Sequence, residues 1–194
     1  MIYYKLVQPF YRRAAKKMAN DCTGFIGNGS KFLDFGSGSG IVSLEFKKKF
    51  NLDLIGVDIV DNRVVDMELK LIDGKTLPFK DSSFDAVLIS YVLHHADEPV
   101  RLLKEAKRVV KSGGRVIVFE DLYKGILAKI ICKVHGLTYG FIFEHHGGKE
   151  QINFKNQKQW EEIFRMLGFK LIFGKRVSAR INPVEKRMFV LDKE

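Results

Sequence analysis

Phe32-Leu33-Asp34-Phe35-Gly36-Ser37-Gly38-Ser39-Gly40 is the stretch that decides the fold class of this chain. A short apolar run carries one acidic residue and is followed by glycine at every second position. The apolar run predicts a buried strand, and the glycines predict a tight turn whose backbone can lie against a ligand. The segment from Ile41 to Phe46 then begins a helix, whose N-terminal amides point back at that turn. Strand, turn and helix together are typical of a nucleotide-binding loop at the carboxyl edge of a parallel sheet.

The spacing of the glycines indicates which ligand the loop suits. Dinucleotide-binding loops follow G-x-G-x-x-G, with a pyrophosphate resting on the helix N-terminus. Here the run is Gly36-x-Gly38-x-Gly40, and Asp34 stands two residues before the first glycine. A carboxylate beside the loop disfavours a pyrophosphate and suits a cationic or amine-bearing ligand. Taken alone, the same motif also fits a glycine turn that binds nothing.

At this point the chain resembles the class I S-adenosylmethionine-dependent methyltransferases, whose first motif reads apolar-Asp-x-Gly-x-Gly-x-Gly. The resemblance implies S-adenosyl-L-methionine as the cofactor. It also implies that the cofactor is bound by Asp34, Gly36, Ser37, Gly38 and Gly40.

Further motifs follow in chain order. Asp58 ends a second apolar run 18 residues after Gly40, where an acidic residue accepts hydrogen bonds from ribose hydroxyls, and Ile59 can pack against the adenine. Asp73-Gly74 resembles the third family motif, in which the acid contacts the adenine amino group. The segment 84–95, which contains Ser90 and Tyr91, resembles the fourth motif, and 103–114 resembles the fifth.

The resemblance covers residues 31–120 and is closest to the small-molecule branch that includes the ubiquinone/menaquinone C-methyltransferases. Methyltransferases that act on amino groups of bases typically carry Asn-Pro-Pro-Tyr or Asp-Pro-Pro-Tyr after the fourth strand. Ser90-Tyr91-Val92-Leu93 stands there instead, which argues against base N-methylation. The motifs are specific for cofactor and fold, and they say little about the acceptor.

Alternating strand and helix patterns predict an α/β fold: a doubly wound, mostly parallel seven-stranded Rossmann-like sheet with an antiparallel last strand. We expect strands near 31–36, 53–58, 69–73, 84–90, 114–120, 169–174 and 187–191, the last two as an antiparallel pair at the sheet edge. We expect helices near 40–50, 98–111 and 156–168. Only 15 residues separate Asp58 from Asp73, so the crossover between them should be a loop or a stunted helix.

The length of 194 residues suits one methyltransferase domain. We divide it into an N-terminal helical cap (1–27), a cofactor-binding core (28–120), a lid-like insertion (121–155) and a final helix with strands (156–194). The cap either covers the cofactor or acceptor opening or merely packs on the sheet. The insertion contains an apolar and aromatic set that implies a similar acceptor, although core packing would explain part of it: Leu137, Tyr139, Phe141, Ile142 and Phe143.

Composition and charge limit the partners. The net charge of +10 could attract nucleic acid, anionic lipid or an acidic substrate, but we favour a solvated basic surface over a nucleic-acid platform. Lys129 and Lys133 beside an apolar stripe would permit a peripheral membrane contact. No signal peptide or transmembrane segment is expected, and a cytoplasmic location fits best. The two cysteines, Cys22 and Cys132, suggest neither a disulfide framework nor a zinc site.

Methyl transfer from a sulfonium cofactor requires alignment of the acceptor and, for an oxygen or carbon acceptor, removal of a proton. Our catalytic candidates are His94, His95 and Asp121; Glu120, His145 and His146 are further possible bases. We expect one of the two adjacent histidines, 94 or 95, to line the pocket instead, since neighbours in sequence rarely point the same way. A thiolate or phenolate acceptor would need no base. No metal site is expected: adjacent histidines such as His145 and His146 are only part of a ligand set, and the sequence near them does not complete it.

These observations predict a methyltransferase that moves a methyl group to a small lipophilic or aromatic acceptor. The alternatives are an RNA or protein methyltransferase, a non-catalytic cofactor-binding or scaffold protein and, more distantly, an NAD-binding oxidoreductase.

Overall fold

Four helices and seven strands make up the part of the chain that the computed structural model describes, namely residues 2–123, 154–179 and 184–193. In chain order they are α1 (Ile2–Asp21), β1 (Lys31–Phe35), α2 (Ile41–Phe50), β2 (Asp53–Asp58), β3 (Glu68–Leu71), β4 (Phe84–Ser90), α3 (Pro99–Val109), β5 (Val110–Tyr123), α4 (Gln157–Met166), β6 (Phe169–Arg176) and β7 (Val184–Lys193).

The strands form one sheet in the order β3-β2-β1-β4-β5-β7-β6. The pairs from β3 to β5 are parallel, and β7 lies antiparallel between β5 and β6. This confirms the predicted fold class. The chain winds outward from β1 through β2 to β3 and then returns to the other side of β1 as β4. The strand order therefore reverses between β1 and β4, and ligands of open α/β sheets bind at the carboxyl ends of the strands beside such a reversal.

Two hydrophobic clusters cover the two faces of the sheet because side chains alternate along each strand. On one face Leu33 and Val118 pack with α3 and α4, whose Trp160 is fully buried. On the other face Phe32 and Ile117 pack with α1 and α2. Adjacent residues of one strand thus belong to different hydrophobic clusters. The same alternation of side chains applies to Glu120 and Asp121 near the end of β5.

The junction of α3 and β5 differs from the prediction. We expected the helix to run to residue 111 and to stop at Ser112-Gly113-Gly114, with the strand beginning at 114. Instead α3 ends at Val109, and Val110 is extended and paired with Phe84 across an irregular register. A β-branched residue favours this extended backbone. β5 also continues to Tyr123, beyond the predicted end at 120, because β7 pairs with it along that length.

The crossover after β2 contains no helix in the structure, as the short spacing predicted. β3 ends at Leu71, so Asp73 and Gly74 follow the strand rather than end it. Of the predicted insertion, Asp121–Tyr123 belong to β5. The remaining predicted features of the insertion lie outside the described residues: Lys129, Cys132, Lys133, Leu137, Tyr139, Phe141, Ile142, Phe143, His145 and His146.

The N-terminal helix is longer than the helix it packs against. α1 has 20 residues and α2 has 10. Arg12 meets Glu45 of α2 at 3.5 Å, and Lys49 of α2 donates to the Asn20 side chain at 2.8 Å, so the two helices run in the same direction.

No helix within the described ranges is both long and apolar enough to cross a membrane.

Candidate functional site

The glycine loop folds back onto the end of β2. The backbone amides of Gly36 and Ser37 donate to the Val57 carbonyl at 2.8 and 3.1 Å, and Gly40 closes a turn onto the Ser37 carbonyl at 2.9 Å. Gly36 has a φ of 80°, and a Cβ atom there would collide with the Val92 side chain. The loop therefore needs a glycine at this position for both backbone and packing.

Asp34 lies beneath the loop rather than on its surface. The Ser43 hydroxyl, in the first turn of α2, donates to Asp34 Oδ2. Asp34 Oδ1 is buried and has no hydrogen-bond partner among the described residues. Burial raises the pKa of Asp34 to about 7, against the smaller opposing effect of the Ser43 hydrogen bond. Ser43 was not among the predicted site residues, although its hydroxyl in the first turn after the loop is evident in the sequence.

Asp58 joins the loop to the adenosine side of the predicted cofactor site. Its Oδ2 accepts the Gly38 amide and its Oδ1 accepts the Ile59 amide, both at 2.7 Å. Each carboxylate oxygen keeps a lone pair for a further donor. Ile59 is 60 % exposed, and its side chain lies against Gly74. Carboxylate, apolar side chain and glycine thus meet at the ends of β2 and β3.

Asp73 shapes the turn that carries Gly74. Its Oδ1 accepts the amides of Lys75 and Thr76 at 2.8 and 3.0 Å, and these backbone hydrogen bonds lower the pKa of Asp73. The Ile72 amide donates to the Asp58 carbonyl at 2.9 Å, which ties the turn to β2. The structure thus brings together the loop, Asp58 and the Asp73-Gly74 turn.

β4 ends at Ser90, and Tyr91 follows with a φ of 58°. The Tyr91 amide donates to the Phe119 carbonyl at 2.8 Å. The ammonium group of Lys186 lies 4.5 Å from the centre of the Tyr91 ring and 2.9 Å from Asp121 Oδ1. Burial raises the pKa of the Tyr91 phenol. Lys186 is a site neighbour that sequence reasoning missed, since only the β5–β7 pairing brings it there.

A buried histidine–carboxylate pair connects the ends of β4 and β5. His94 Nδ1 is hydrogen-bonded to Oε1 of Glu120, a residue with no exposed surface. The Phe154 ring stacks on His94 at 4.7 Å, and the His95 ring lies 4.0 Å away. The two rings lie together although the residues are neighbours in sequence, because the backbone turns here, with the His95 amide donating to the Val92 carbonyl.

Burial and the neighbouring carboxylates shift the pKa of His94 in opposite directions. Burial is the largest single cause and would lower the pKa, but the attraction and hydrogen bond of Glu120, together with the charge of Asp121, raise it above the ordinary value. Glu120 Oε2 is buried without a hydrogen-bond partner in the described part of the chain. This second oxygen can accept a hydrogen bond from a ligand or a water molecule.

The three catalytic candidates do not form one cluster. His94 is bonded to Glu120 and His95 lies beside His94, whereas Asp121, the residue after Glu120, pairs with Lys186 on the opposite side of β5. Within the described residues, no group of histidine, cysteine and carboxylate side chains could hold a metal ion. The site is therefore a row of backbone donors and carboxylates along β1, β2 and β3, ending in a histidine–glutamate pair and a lysine–aspartate pair.

Comparison with known proteins finds a matching family model and similar proteins. The family model described as "Methyltransferase domain" matches residues 33–118. A protein of Methanocaldococcus jannaschii called uncharacterized protein MJ1123 is 36 % identical over 164 residues, covering 79 % of this chain and 72 % of that protein. The demethylmenaquinone methyltransferase of Thermotoga maritima is 29 % identical over 166 residues, covering 75 % of this chain and 72 % of that enzyme.

Solved structures share the fold. The [4+2]-cyclase SpnF superposes with a TM-score of 0.73 at 17 % identity, covering 93 % of this chain and 81 % of that one. Geranyl diphosphate C-methyltransferase from Streptomyces coelicolor A3(2) also gives a TM-score of 0.73, at 12 % identity, covering 94 % of this chain and 79 % of that one. At these identities the likeness concerns the fold, which by itself does not fix a reaction.

Proposed function

Since this chain belongs to the class I S-adenosylmethionine-dependent methyltransferases, we propose that it transfers the methyl group of its cofactor to a small, lipophilic or aromatic acceptor. The observation that carries the acceptor class is the likeness to the Thermotoga maritima demethylmenaquinone methyltransferase, which extends over 75 % of this chain. The ring of Phe154 stacks on His94 beyond the end of β4, with the tilted His95 ring beside them, and this cluster of rings supports an aromatic acceptor.

The described residues fit the cofactor, as their unsatisfied groups indicate. Asp34 Oδ1 and the Ser37 hydroxyl are buried and lack hydrogen-bond partners within the described residues, as expected where a ligand or water completes the site. A Cβ built on Gly38 would meet nothing within 4 Å, which leaves open space above the loop. Cationic and amine groups of the cofactor suit the carboxylates of Asp34 and Asp58.

We assign the cofactor to the loop, the two strand ends beside it and the end of β4. Asp58 would accept the ribose hydroxyls, Ile59 would pack on the adenine, and Asp73 would accept its amino group. The remaining contacts would come from Gly36, Ser37, Gly38, Gly40, Gly74, Ser90 and Tyr91, with Asp34 beneath the loop. When bound, S-adenosylmethionine supplies a methyl group already activated for transfer.

We assign the proton of the acceptor to the histidine pair. Glu120 fixes the Nδ1 side of His94, so Nε2 is the ring nitrogen left to take a proton. His95 is less buried than His94 and is the alternative acceptor of that proton. Asp121 is held by Lys186, and we propose that this pair orients a polar group of the acceptor. We further propose that the chain is a single domain and that the part of the predicted insertion 121–155 that follows β5 forms its lid.

Isothermal titration calorimetry with S-adenosylhomocysteine tests the cofactor assignment. We expect Asp58→Ala to weaken binding by roughly tenfold or more, because two charge-assisted hydrogen bonds would be lost. Asp61→Ala is the matched control, since Asp61 is an exposed carboxylate of the same crossover that pairs with Arg63. Equal affinity in Asp58→Ala and the native chain would refute the assignment.

Transfer of a radiolabelled methyl group to a panel of acceptors tests the acceptor class. The panel would contain hydroquinones with and without a prenyl tail, simple phenols, bulk RNA and a basic protein. The proposal expects methylation of the hydroquinones or phenols. Methylation of the RNA or the protein alone would overturn the acceptor class while leaving the cofactor assignment intact.

A further inference from the structure

We propose that the outward face of α1 docks the protein on an anionic lipid bilayer. The exposed side chains of this face are both apolar and basic. Phe10 is 77 % exposed, and Arg13 and Lys17 follow it at the spacing of one helical stripe, with Lys16 beside them; all three are exposed. The other side of the helix is buried at Ala15 and packs on the sheet through Met18 and Ala19. A helix with an exposed aromatic residue among basic ones suits the interface of a membrane.

Two of the exposed basic residues of this face, Arg13 and Lys16, lack an acidic partner in the described part of the chain. α1 has no acidic residue before Asp21, its last position, whereas it contains Lys5, Arg12, Arg13, Lys16 and Lys17. Arg12 pairs with Glu45, and Lys17 pairs with Asp21. Among the described residues, no carboxylate pairs with Arg13 or Lys16. These two cations are therefore available for the phosphates of anionic lipids.

α1 begins on the side of the sheet that carries the site, and Phe10 lies nearer that edge than Arg13, Lys16 and Lys17 do. Arg12 contacts Glu45, the fifth residue of α2, and α2 starts directly after the glycine loop. Ten helical residues precede Arg12 and span about 15 Å, against about 6 Å for the four residues that precede Glu45. The first six residues of α1 therefore extend about 9 Å past the start of α2, on the side of the glycine loop.

This arrangement suits an acceptor that resides in the bilayer. Docking through Phe10 and the unpaired cations would hold α1, and the glycine loop near its first half, close to the lipid headgroups, so a lipophilic acceptor could enter from the bilayer. This use of the surface rests on the proposed function, whereas lipid binding itself does not. Nucleic acid is the competing partner of a basic face. We favour lipid because the exposed Phe10 ring suits insertion between acyl chains, whereas single-strand platforms present several aromatic rings to stacked bases.

Vesicle co-sedimentation of the full chain tests the proposal. The protein should bind vesicles of equal parts phosphatidylcholine and phosphatidylglycerol and leave pure phosphatidylcholine vesicles unbound. Phe10→Ser should weaken binding by about tenfold, as loss of a buried aromatic ring implies. The double variant Arg13→Glu/Lys16→Glu should weaken it by about twentyfold or more at moderate ionic strength.

Matched controls separate this surface from general stickiness and general charge. Met166→Ser removes a side chain that is 67 % exposed at the end of α4, and Lys48→Glu reverses an exposed charge in the last turn of α2. Both should bind vesicles like the native chain, and all variants should bind S-adenosylhomocysteine unchanged. No binding to anionic vesicles, equal loss in the controls, or binding to bulk RNA without binding to vesicles would overturn the proposal. Failure of the cofactor assay alone would concern the proposed function.

Discussion

Gly36 and Gly38 of the glycine loop need glycine for different reasons. Gly36 has a φ of 80° and faces Val92, whereas Gly38 has a φ of 50° and open space around it. We expect Gly36→Ala to lower the free energy of unfolding by about 2–5 kcal/mol, from backbone strain and overpacking together. Gly38→Ala should cost about 1–2 kcal/mol, from backbone strain alone. Urea denaturation of the two variants measures the difference, and equal losses would contradict the packing argument.

The pKa of His94 depends on its hydrogen-bonded partner, Glu120. Burial lowers the pKa of His94, and the charge and hydrogen bond of Glu120 are the main causes that raise it. Glu120→Gln removes that charge with nearly the same side-chain shape, so it should lower the pKa of His94. Imidazole titration followed by NMR, with the His94 signal identified by its loss in His94→Gln, gives the value directly. Asp121→Asn should change the pKa of His94 less than Glu120→Gln does, because Asp121 is already paired with Lys186. An unchanged His94 titration in Glu120→Gln would refute the assigned cause.

At the scale of elements, α3 holds the turn region that precedes β4. Glu105 Oε2 accepts the amide of the buried Leu77 at 2.8 Å, and Arg108 donates to the Leu77 carbonyl at 2.9 Å and to Glu105. Glu105→Ala would leave a buried amide unpaired, so we expect a loss of about 1–3 kcal/mol in the free energy of unfolding. Lys104→Ala, an exposed neighbour on the same helix, should change it by less than about 0.5 kcal/mol. Equal values for the two variants would show that the contact is not stabilising.

Elements were predictable from sequence where local pattern and tertiary pairing agree. β2 and β4 occupy the predicted residues 53–58 and 84–90, since each is an apolar run bounded by turn residues. The end of α3 was not predictable, because the pairing of Val110 with Phe84 is non-local and overrides the glycine stop. For the same reason the sequence supplied the candidates His94, Asp121 and Glu120 but neither the pairing of His94 with Glu120 nor the lysine beside Asp121.

At the scale of the whole molecule, one buried acid makes global stability depend on pH. Asp34 has an ordinary pKa of 3.8, and burial raises the pKa in the folded protein to about 7. Between these values the folded state holds a proton that the unfolded state releases, so the free energy of unfolding falls as pH rises from 4 to 7. The contribution is up to about 4 kcal/mol over that window, and it is constant above pH 7.

Asp34→Asn isolates this contribution, because the amide does not ionise and has nearly the same shape. We expect the free energy of unfolding of the native chain, measured relative to the variant in urea, to decline through that window and then level off. Asp61→Asn is the control: the Arg63 hydrogen bonds lower the pKa of the exposed Asp61 to about 2, so its titration lies below the window. Parallel curves for the native chain and Asp34→Asn would mean that Asp34 is ionised throughout. A bound cation or amine would favour that ionised form, so cofactor binding below pH 7 should release a proton from the same carboxyl group.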